Sequence, residues 1–467
     1  MLSASFIPVY AQLLGREERE EARRVAGAVF TLLALVTSTL VLAGVLITPL
    51  LIAVIAPGFE GEKREITIKL VRILFPGAGL LVMSAWCLGV LNSHRRFFLP
   101  YAAPVLWNLT IILTLIGFGA AATGYNLAEI AAWGSVAGSA LQFAIQVPAV
   151  LGLLQGLTLG LGRRVESVRT VARNFVPVFI GRGVVQISAY VDTVLASFLP
   201  TGAVAALSYA QVLYTLPVSL FGMSVSAAEL PAMSSAGGEA DERAAHLRGR
   251  LDRGLRQIAF FVAPSAVAFL ALGDVVAGAV YQSGAFTRDM TIYVWGILAG
   301  SALGLLASTL GRLYASTYYA LHDTRTPLRF AMVRVVLTVV LGYLFAIPLP
   351  GLLGIDQRWG VAGLTASAGL AGWVEFILLR RTLNSRIGRT GVPLSYMIRL
   401  WGSALAAASA AWVVKLALYP GHPLVVALFS LGMYGAAYFA VAASLGVPQA
   451  VRLVAKIGWD RSTLSKP

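Results

Sequence analysis

Long apolar stretches alternate with short polar connections along almost the whole chain. Stretches able to cross about 30 Å of hydrocarbon fall near residues 25–55, 66–91, 101–119, 126–155, 171–199, 204–232, 257–281, 290–316, 330–349, 360–379, 395–418 and 424–446. This pattern predicts an all-α, polytopic membrane protein with about twelve full spans. A shorter apolar piece, Leu2 to Leu14, cannot span. It has no basic lead-in and no small-residue cleavage site, so it reads as the second half of a helix and not as a signal peptide.

The polar connections carry an internal repeat. Leu91-Asn92-Ser93-His94-Arg95-Arg96-Phe97-Phe98-Leu99-Pro100 returns in altered form as Leu321-His322-Asp323-Thr324-Arg325-Thr326-Pro327-Leu328, each between two apolar stretches. Pro8 pairs with Pro231 and Phe59 with Phe286 in the same way, so the three landmarks recur at separations of 230, 223 and 227 residues. A near-constant separation marks a duplicated helical bundle, an organisation typical of transporters whose substrate path lies between the halves.

Composition agrees with a bilayer as solvent: 58% of residues are hydrophobic and 12% charged, with a mean hydropathy of +0.79. The net charge of +15 is mostly topological. Alternate connections hold 22 of the 36 Lys and Arg, whereas the opposite ones hold only Lys63, Arg64, Arg288 and Arg358. Basic connections stay in the cytoplasm, so the 92–100, 163–170, 234–254 and 380–392 segments are expected inside. The tail with Arg452, Lys456, Arg461 and Lys466 joins them, which makes the C-terminus cytoplasmic. Charges spread in small sets around every inner loop form no nucleic-acid patch.

Chemistry-bearing motifs are sparse. The lone Cys87 excludes an intramolecular disulfide, and His94, His246, His322 and His422 have no second ligand at helical spacing, so no metal or other cofactor is expected. The acidic run Glu239-Ala240-Asp241-Glu242 reads as a solvated linker and not as a metal-holding transferase motif. No Gly-rich phosphate loop ends in Lys-Ser or Lys-Thr. The chain is therefore expected to be no enzyme, and to draw energy from an ion gradient or the membrane potential.

Several short motifs, in order, resemble one family. Ala56-Pro57-Gly58-Phe59, Leu91-Asn92-Ser93 with Arg96-Phe97 and Pro100, Pro104 to Asn108, Gln186-Ile187-Ser188, Ala196-Ser197-Phe198-Leu199 and His322-Asp323-Thr324-Arg325-Thr326-Pro327 are similar to the MurJ (MviN) family of lipid II flippases, within the multidrug/oligosaccharidyl-lipid/polysaccharide exporter superfamily. The resemblance implies two six-helix lobes and two additional helices: an incomplete N-terminal lobe at 1–162, a C-terminal lobe at 163–392, and the additional helices and tail at 393–467. It implies alternating access that moves an undecaprenyl-diphosphate-linked peptidoglycan precursor from the inner to the outer leaflet of the bacterial inner membrane. Lipid II or a similar polyprenyl-diphosphate glycan, membrane lipids and cell-wall synthesis proteins are the implied partners. Relatives place arginines in their first, second and eighth helices to meet the cargo's anions. Here the first helix and half of the second have no counterpart, and Gln211 and Val212 stand where the eighth helix would carry an acid–arginine pair. The expected explanation is a coding extension of roughly 60 residues upstream of Met1, enough for one helix and half of another.

The residues suggest their own candidates. Arg182, Gln186, Ala189 and Thr193 share a helical face, with Asp192 close beside it. A charge at that depth needs a cavity or a partner, so Arg182 either binds the cargo's anions, with Gln186, Asp192 and Gln211, or makes a structural pair. Glu229 reads as a gate or coupling acid, or as the partner of an inner-loop arginine. Glu375 is expected to meet Arg380 or Arg381, and Lys415 to snorkel outward. Arg95, Arg96, Asp323 and Arg325 lie in equivalent inner loops, as topological charge or as an inner gate. Trp86, Trp107, Trp133, Trp295 and Trp373 lie within spans and read mainly as packing, and Pro177, Pro217 and Pro264 as kinks, with Pro217 foremost. A lipid-linked oligosaccharide flippase, an ion-coupled multidrug antiporter, and a non-transporting scaffold or transferase remain as alternatives at this level.

Overall fold

The computed structural model describes residues 5–467 except 121, 157–159, 161–166, 172, 174, 176–189, 235–239, 322 and 457–467. Among the described residues every regular element is helical, and eleven helices are long and apolar enough to cross a membrane. The expected span at 171–199 lies largely outside the described residues, as does Pro177, although 190–197 are helical. Contacts divide the chain into two compact units, Met1–Tyr190 and Val191–Pro467.

The first unit contains α1 (Ile7–Gly15), α2 (Arg19–Ile55), α3 (Gly61–Ser93), α4 (Phe98–Phe118), α5 (Gly124–Ala144) and α6 (Val147–Leu154). The short piece at the start is the single two-turn helix α1, whose Phe6 and Tyr10 are buried against Trp86, Cys87 and Val90 of α3. Indole N–H groups tie neighbouring helices: Trp86 donates to the Ala26 carbonyl at 3.2 Å and Trp107 to that of Ser135 at 3.1 Å. The buried Ser84 hydroxyl of α3 accepts from Gln142 of α5 at 3.1 Å and from Gln146, at the start of α6, at 2.7 Å. The bonds give both amide N–H groups an acceptor in an apolar interior, where an unpartnered donor is costly.

The second unit runs from α7 (Ala203–Pro217) through a π-helical segment, Val218–Met223, into α8 (Ser224–Ser234). Then come α9 (Ala240–Tyr281), α10 (Arg288–Ala320), α11 (Arg325–Ala346), α12 (Pro348–Leu353), α13 (Gly360–Ile387), α14 (Leu394–Leu418), α15 (Pro423–Ser444) and α16 (Pro448–Lys456). The irregularity expected at Pro217 is present as the wide π turn that follows it, a common response to a broken hydrogen-bond ladder. The acidic run expected as a linker is instead partly helical, since Asp241 and Glu242 occupy the first turn of α9. Acids complement the dipole there, and Leu247, Leu251 and Leu255, each at most 1% exposed, form a buried stripe at i, i+4 and i+8.

Helices α10 and α13 approach closely through glycine. A Cβ on Gly304 would stand 2.3 Å from Gly369 Cα, and one on Gly300 would stand 2.4 Å from the Ala362 carbonyl oxygen. Small residues permit this in a bilayer, where dispersion and not water drives helix association.

The longest helix, α9, is broken twice and repaired both times from outside. Pro264 lacks an N–H and so frees the carbonyl four residues earlier, that of Phe260; the Tyr438 hydroxyl of α15 donates to it at 2.6 Å. Tyr434 donates to the Pro264 carbonyl at 2.7 Å. The actual bend lies at Leu272 (φ −127°, ψ 15°) and not at Pro264. Around it the carbonyls of Phe269 and Leu270 accept from the Trp295 indole at 3.1 and 3.2 Å, and that of Ala271 from the Trp412 indole at 2.8 Å. Lipid offers no water to such carbonyls, so α10, α14 and α15 together complete the backbone of α9.

Candidate functional site

An intramembrane ion pair and an unpartnered acid stand out within the second unit. Arg334 of α11 and Glu375 of α13 pair at 3.1 Å, with side chains 40% and 18% exposed. Asp192, on the helical turn-pair at 190–197, has a buried Oδ1 with no hydrogen-bond partner among the described residues, and Arg334 is the cation whose charge reaches it. At about 1.5 Å per residue, Arg334 lies about 14 Å along α11 from Arg325, and Glu375 about 18 Å from Ile387. Both therefore sit deep in the hydrocarbon, where ionisable groups are rare and functional by default. Arg334 is thus paired with Glu375, whereas the Asp192 Oδ1 is left as a buried acceptor without a hydrogen-bond partner among the described residues.

Glu375 was expected beside Arg380 or Arg381. Those residues follow at i+5 and i+6, on other faces of the helix, because only i+3 and i+4 positions stack. Arg334 belongs to a different helix, so local spacing could not reveal it. Lys415 likewise does not snorkel outward: its ammonium sits 2.8 Å from both oxygens of Asp274, with side chains 12% and 7% exposed. Arg288 approaches the same carboxylate at 3.9 Å, and the Lys415 ammonium lies 4.5 Å from the centre of the Trp412 ring.

The remaining candidates separate. Arg182 and Gln186 lie outside the described residues, as does His322. Gln211 is exposed on α7. Glu229 Oε2 stands 2.9 Å from Arg250 Nε as an ion pair, though without the alignment of a hydrogen bond; that arginine lies in the N-terminal part of α9. Asp323 works as a helix cap. Its Oδ1 accepts the backbone N–H groups of Arg325 and Thr326, each at 3.0 Å, and its Oδ2 accepts the Thr326 hydroxyl at 2.6 Å and Arg386 Nη1 at 2.7 Å. The Thr326 hydroxyl first, then the Thr326 amide and Arg386, hold this carboxyl well below the usual carboxylate range. Arg325 makes no ion pair among the described residues. Arg95, at φ 58°, and Arg96 are exposed at the end of α3. Beside them His94 shares a 3.0 Å hydrogen bond with the Tyr10 hydroxyl. Burial, then the charges of Arg19 and Arg96, push its imidazole below the usual histidine value. Among the described residues no group of three His, Cys, Asp or Glu could hold a metal ion.

Comparisons with known proteins converge. The sequence family described as "Lipid II flippase MurJ" matches residues 1–444. A probable lipid II flippase MurJ of Rhizobium meliloti (strain 1021) is 31% identical over 468 residues, covering 95% of this chain and 83% of its own. The lipid II flippase MurJ of Burkholderia cenocepacia is 28% identical over 414 residues, covering 87% and 78%. Among solved structures, a lipid II flippase MurJ in an inward closed conformation superposes with a TM-score of 0.73 at 21% identity, covering 95% of this chain and 87% of that one. An inward-facing multidrug resistance MATE family transporter gives 0.66 at 17% identity, covering 82% and 86%.

Proposed function

We propose, from the premise that this chain belongs to the lipid II flippase MurJ family, a transport cycle coupled through Asp192, Arg334 and Glu375. The protein is a multi-pass component of the bacterial inner membrane and moves lipid II. The observation that carries this is the family match over residues 1–444. Depletion in the host should make lipid II accumulate in the inner leaflet, and the 467-residue chain should reverse it; accumulation of a different lipid-linked sugar would refute the cargo.

The finer reading is mechanistic. Lobes 1–162 and 163–392 alternate access from the inner to the outer leaflet, with 393–467 as an accessory pair and a cytoplasmic C-terminus. The cargo's diphosphate demands a planar bidentate cation; Arg182 meets that need, with Gln186, Asp192 and Gln211 reading the neighbouring groups. Arg182→Ala should abolish flipping at normal protein levels, and normal flipping would make the residue idle. Glu229 with Arg250, and Asp323 with Arg386, are pairs suited to gating on the inner side, and Arg95, Arg96 and Arg325 are the further gate candidates. No step is catalytic, and cell-wall synthesis proteins supply and consume the cargo. With no nucleotide motif, the drive is a proton or cation entering the intramembrane cluster, or the membrane potential, worth about 2.3 kcal/mol per charge per 100 mV.

A further inference from the structure

The second unit contains an amphipathic cleft that the transport reading does not use. Helices α13 and α14 follow one another in sequence, yet they scarcely touch; α13 packs on α10 and α14 on α9. Between them lies a cavity of about 330 Å³ lined by Leu306, Leu310, Tyr314, Trp373, Phe376 and Met397. It continues into a second cavity of about 530 Å³, through shared walls at Arg380, Gly391, Val392 and Leu394. The apolar part reaches Leu306 and Trp373, about 20 Å from the ends of their helices at about 1.5 Å per residue. The polar part is a mouth with Arg380, Asn384 and Arg389.

The mouth is built and not merely left over. Thr390 is buried; its hydroxyl hydrogen-bonds with that of Tyr314 at 3.0 Å, and its carbonyl accepts Arg380 Nε at 3.2 Å. The Gly391 N–H donates to Asp252 Oδ1 at 2.9 Å. Gly391 has φ +130°, and a Cβ there would lie 2.7 Å from Arg380 Nη2, so the absent side chain gives the guanidinium its place. Neither Arg380 nor Arg389 has a carboxylate partner among the described residues. Two guanidinium groups therefore face one acid, whose Oδ1 is already bonded to backbone. A cationic mouth over a deep apolar slot matches an amphiphile with one anionic group and a hydrocarbon chain.

We propose that the cleft between α13 and α14 binds an anionic phospholipid of the inner leaflet, with its phosphate on Arg380 and Arg389 and one acyl chain along Trp373 and Phe376. The leaflet rests on the cytoplasmic orientation proposed for the 380–392 connection, whereas the binding itself does not depend on lipid II transport. A disaccharide-pentapeptide headgroup exceeds the drug-sized ligands for which a mouth of 530 Å³ is suited.

The test uses the purified full chain in vesicles of equal parts phosphatidylglycerol and phosphatidylcholine. Either lipid carries, in turn, a photoactivatable group at the end of one acyl chain. The glycerol lipid should label peptides containing Trp373, Phe376 and Met397 in preference to the choline lipid. Arg380→Ala with Arg389→Ala should lower that preference about tenfold, as expected for a lost charge-assisted hydrogen bond, and the two Lys substitutions by less. Because Arg380 also braces the loop, Arg389→Ala alone must reduce the preference as well. Equal labelling by the two lipids, or adducts spread over all outward helix faces, would overturn the proposal. Displacement of the label by undecaprenyl diphosphate would also overturn it and assign the cleft to the cargo.

Discussion

Replacing Lys415 by Met should expose how strongly α14 is held to α9. The ammonium lies 2.8 Å from both Asp274 oxygens, and both side chains are nearly buried. Its removal leaves a buried carboxylate whose next cation, Arg288, stands 3.9 Å away and is 46% exposed. Breaking a buried pair from one side costs about 3–5 kcal/mol, and the partial compensation by Arg288 at 3.9 Å places the expected loss near the lower figure. Asp274→Asn should cost less, about 2 kcal/mol, because Lys415 keeps its contact with the Trp412 face. With both changes no charge is stranded, and the double variant should fall within about 1 kcal/mol of the parent. The three variants can be compared by titrating SDS into mixed micelles while following tryptophan fluorescence. A coupling of at least about 2 kcal/mol is expected, and additivity within about 0.5 kcal/mol would refute the pairing.

Three further outcomes follow. Gly304→Ala should destabilise by about 1–3 kcal/mol, since its Cβ meets Gly369 backbone, whereas Gly311→Ala, with open space around it, should not; equal effects would deny the close approach of α10 and α13. Arg334→Met should stop lipid II flipping while protein levels hold, with Arg334→Lys partly active, and full activity of the Met variant would remove the cluster from the cycle. Because the folded-state pKa of His94 is depressed, the unfolded chain takes up its proton first as pH falls through about 6.5. Stability contributed by neutral His94 is thus present above that value and declines below it, so parent protein should lose more stability than His94→Gln between pH 8 and pH 5.5; parallel losses would count against it.

The periodicity of apolar stretches exposed the spans because a bilayer imposes a length on each of them. The candidate site was far less visible. Asp192 could be picked out as an acid inside a span, but Arg334 looked like one more basic residue after the Asp323 loop. Its distance from that loop along α11 is what separates it from topological charge. Asp274 and Lys415 are 141 residues apart, beyond any spacing rule, and each has an innocent reading alone. Asp323 suggested a gate because its counterpart loop carries Arg95 and Arg96, whereas its oxygens serve the amides of α11. Local chemistry marks where charges are, and only packing assigns their partners.

The repairs to α9 also order its birth. Trp295, which serves Phe269 and Leu270, follows them by 26 and 25 residues, but Trp412, Tyr434 and Tyr438 are synthesised 141, 170 and 178 residues after the positions they serve. At about 5–20 residues per second, the helix waits on the order of ten seconds in the membrane with those bonds unmade. An open carbonyl in hydrocarbon is costly, so the nascent α9 is expected to stay regular at Leu272, or near interfacial water, and to bend only once the last two spans arrive. A ribosome-stalled chain ending at residue 392 should then show a different distance across Leu272 from the finished protein, measured between paired spin labels. The bend belongs to assembly as much as to transport.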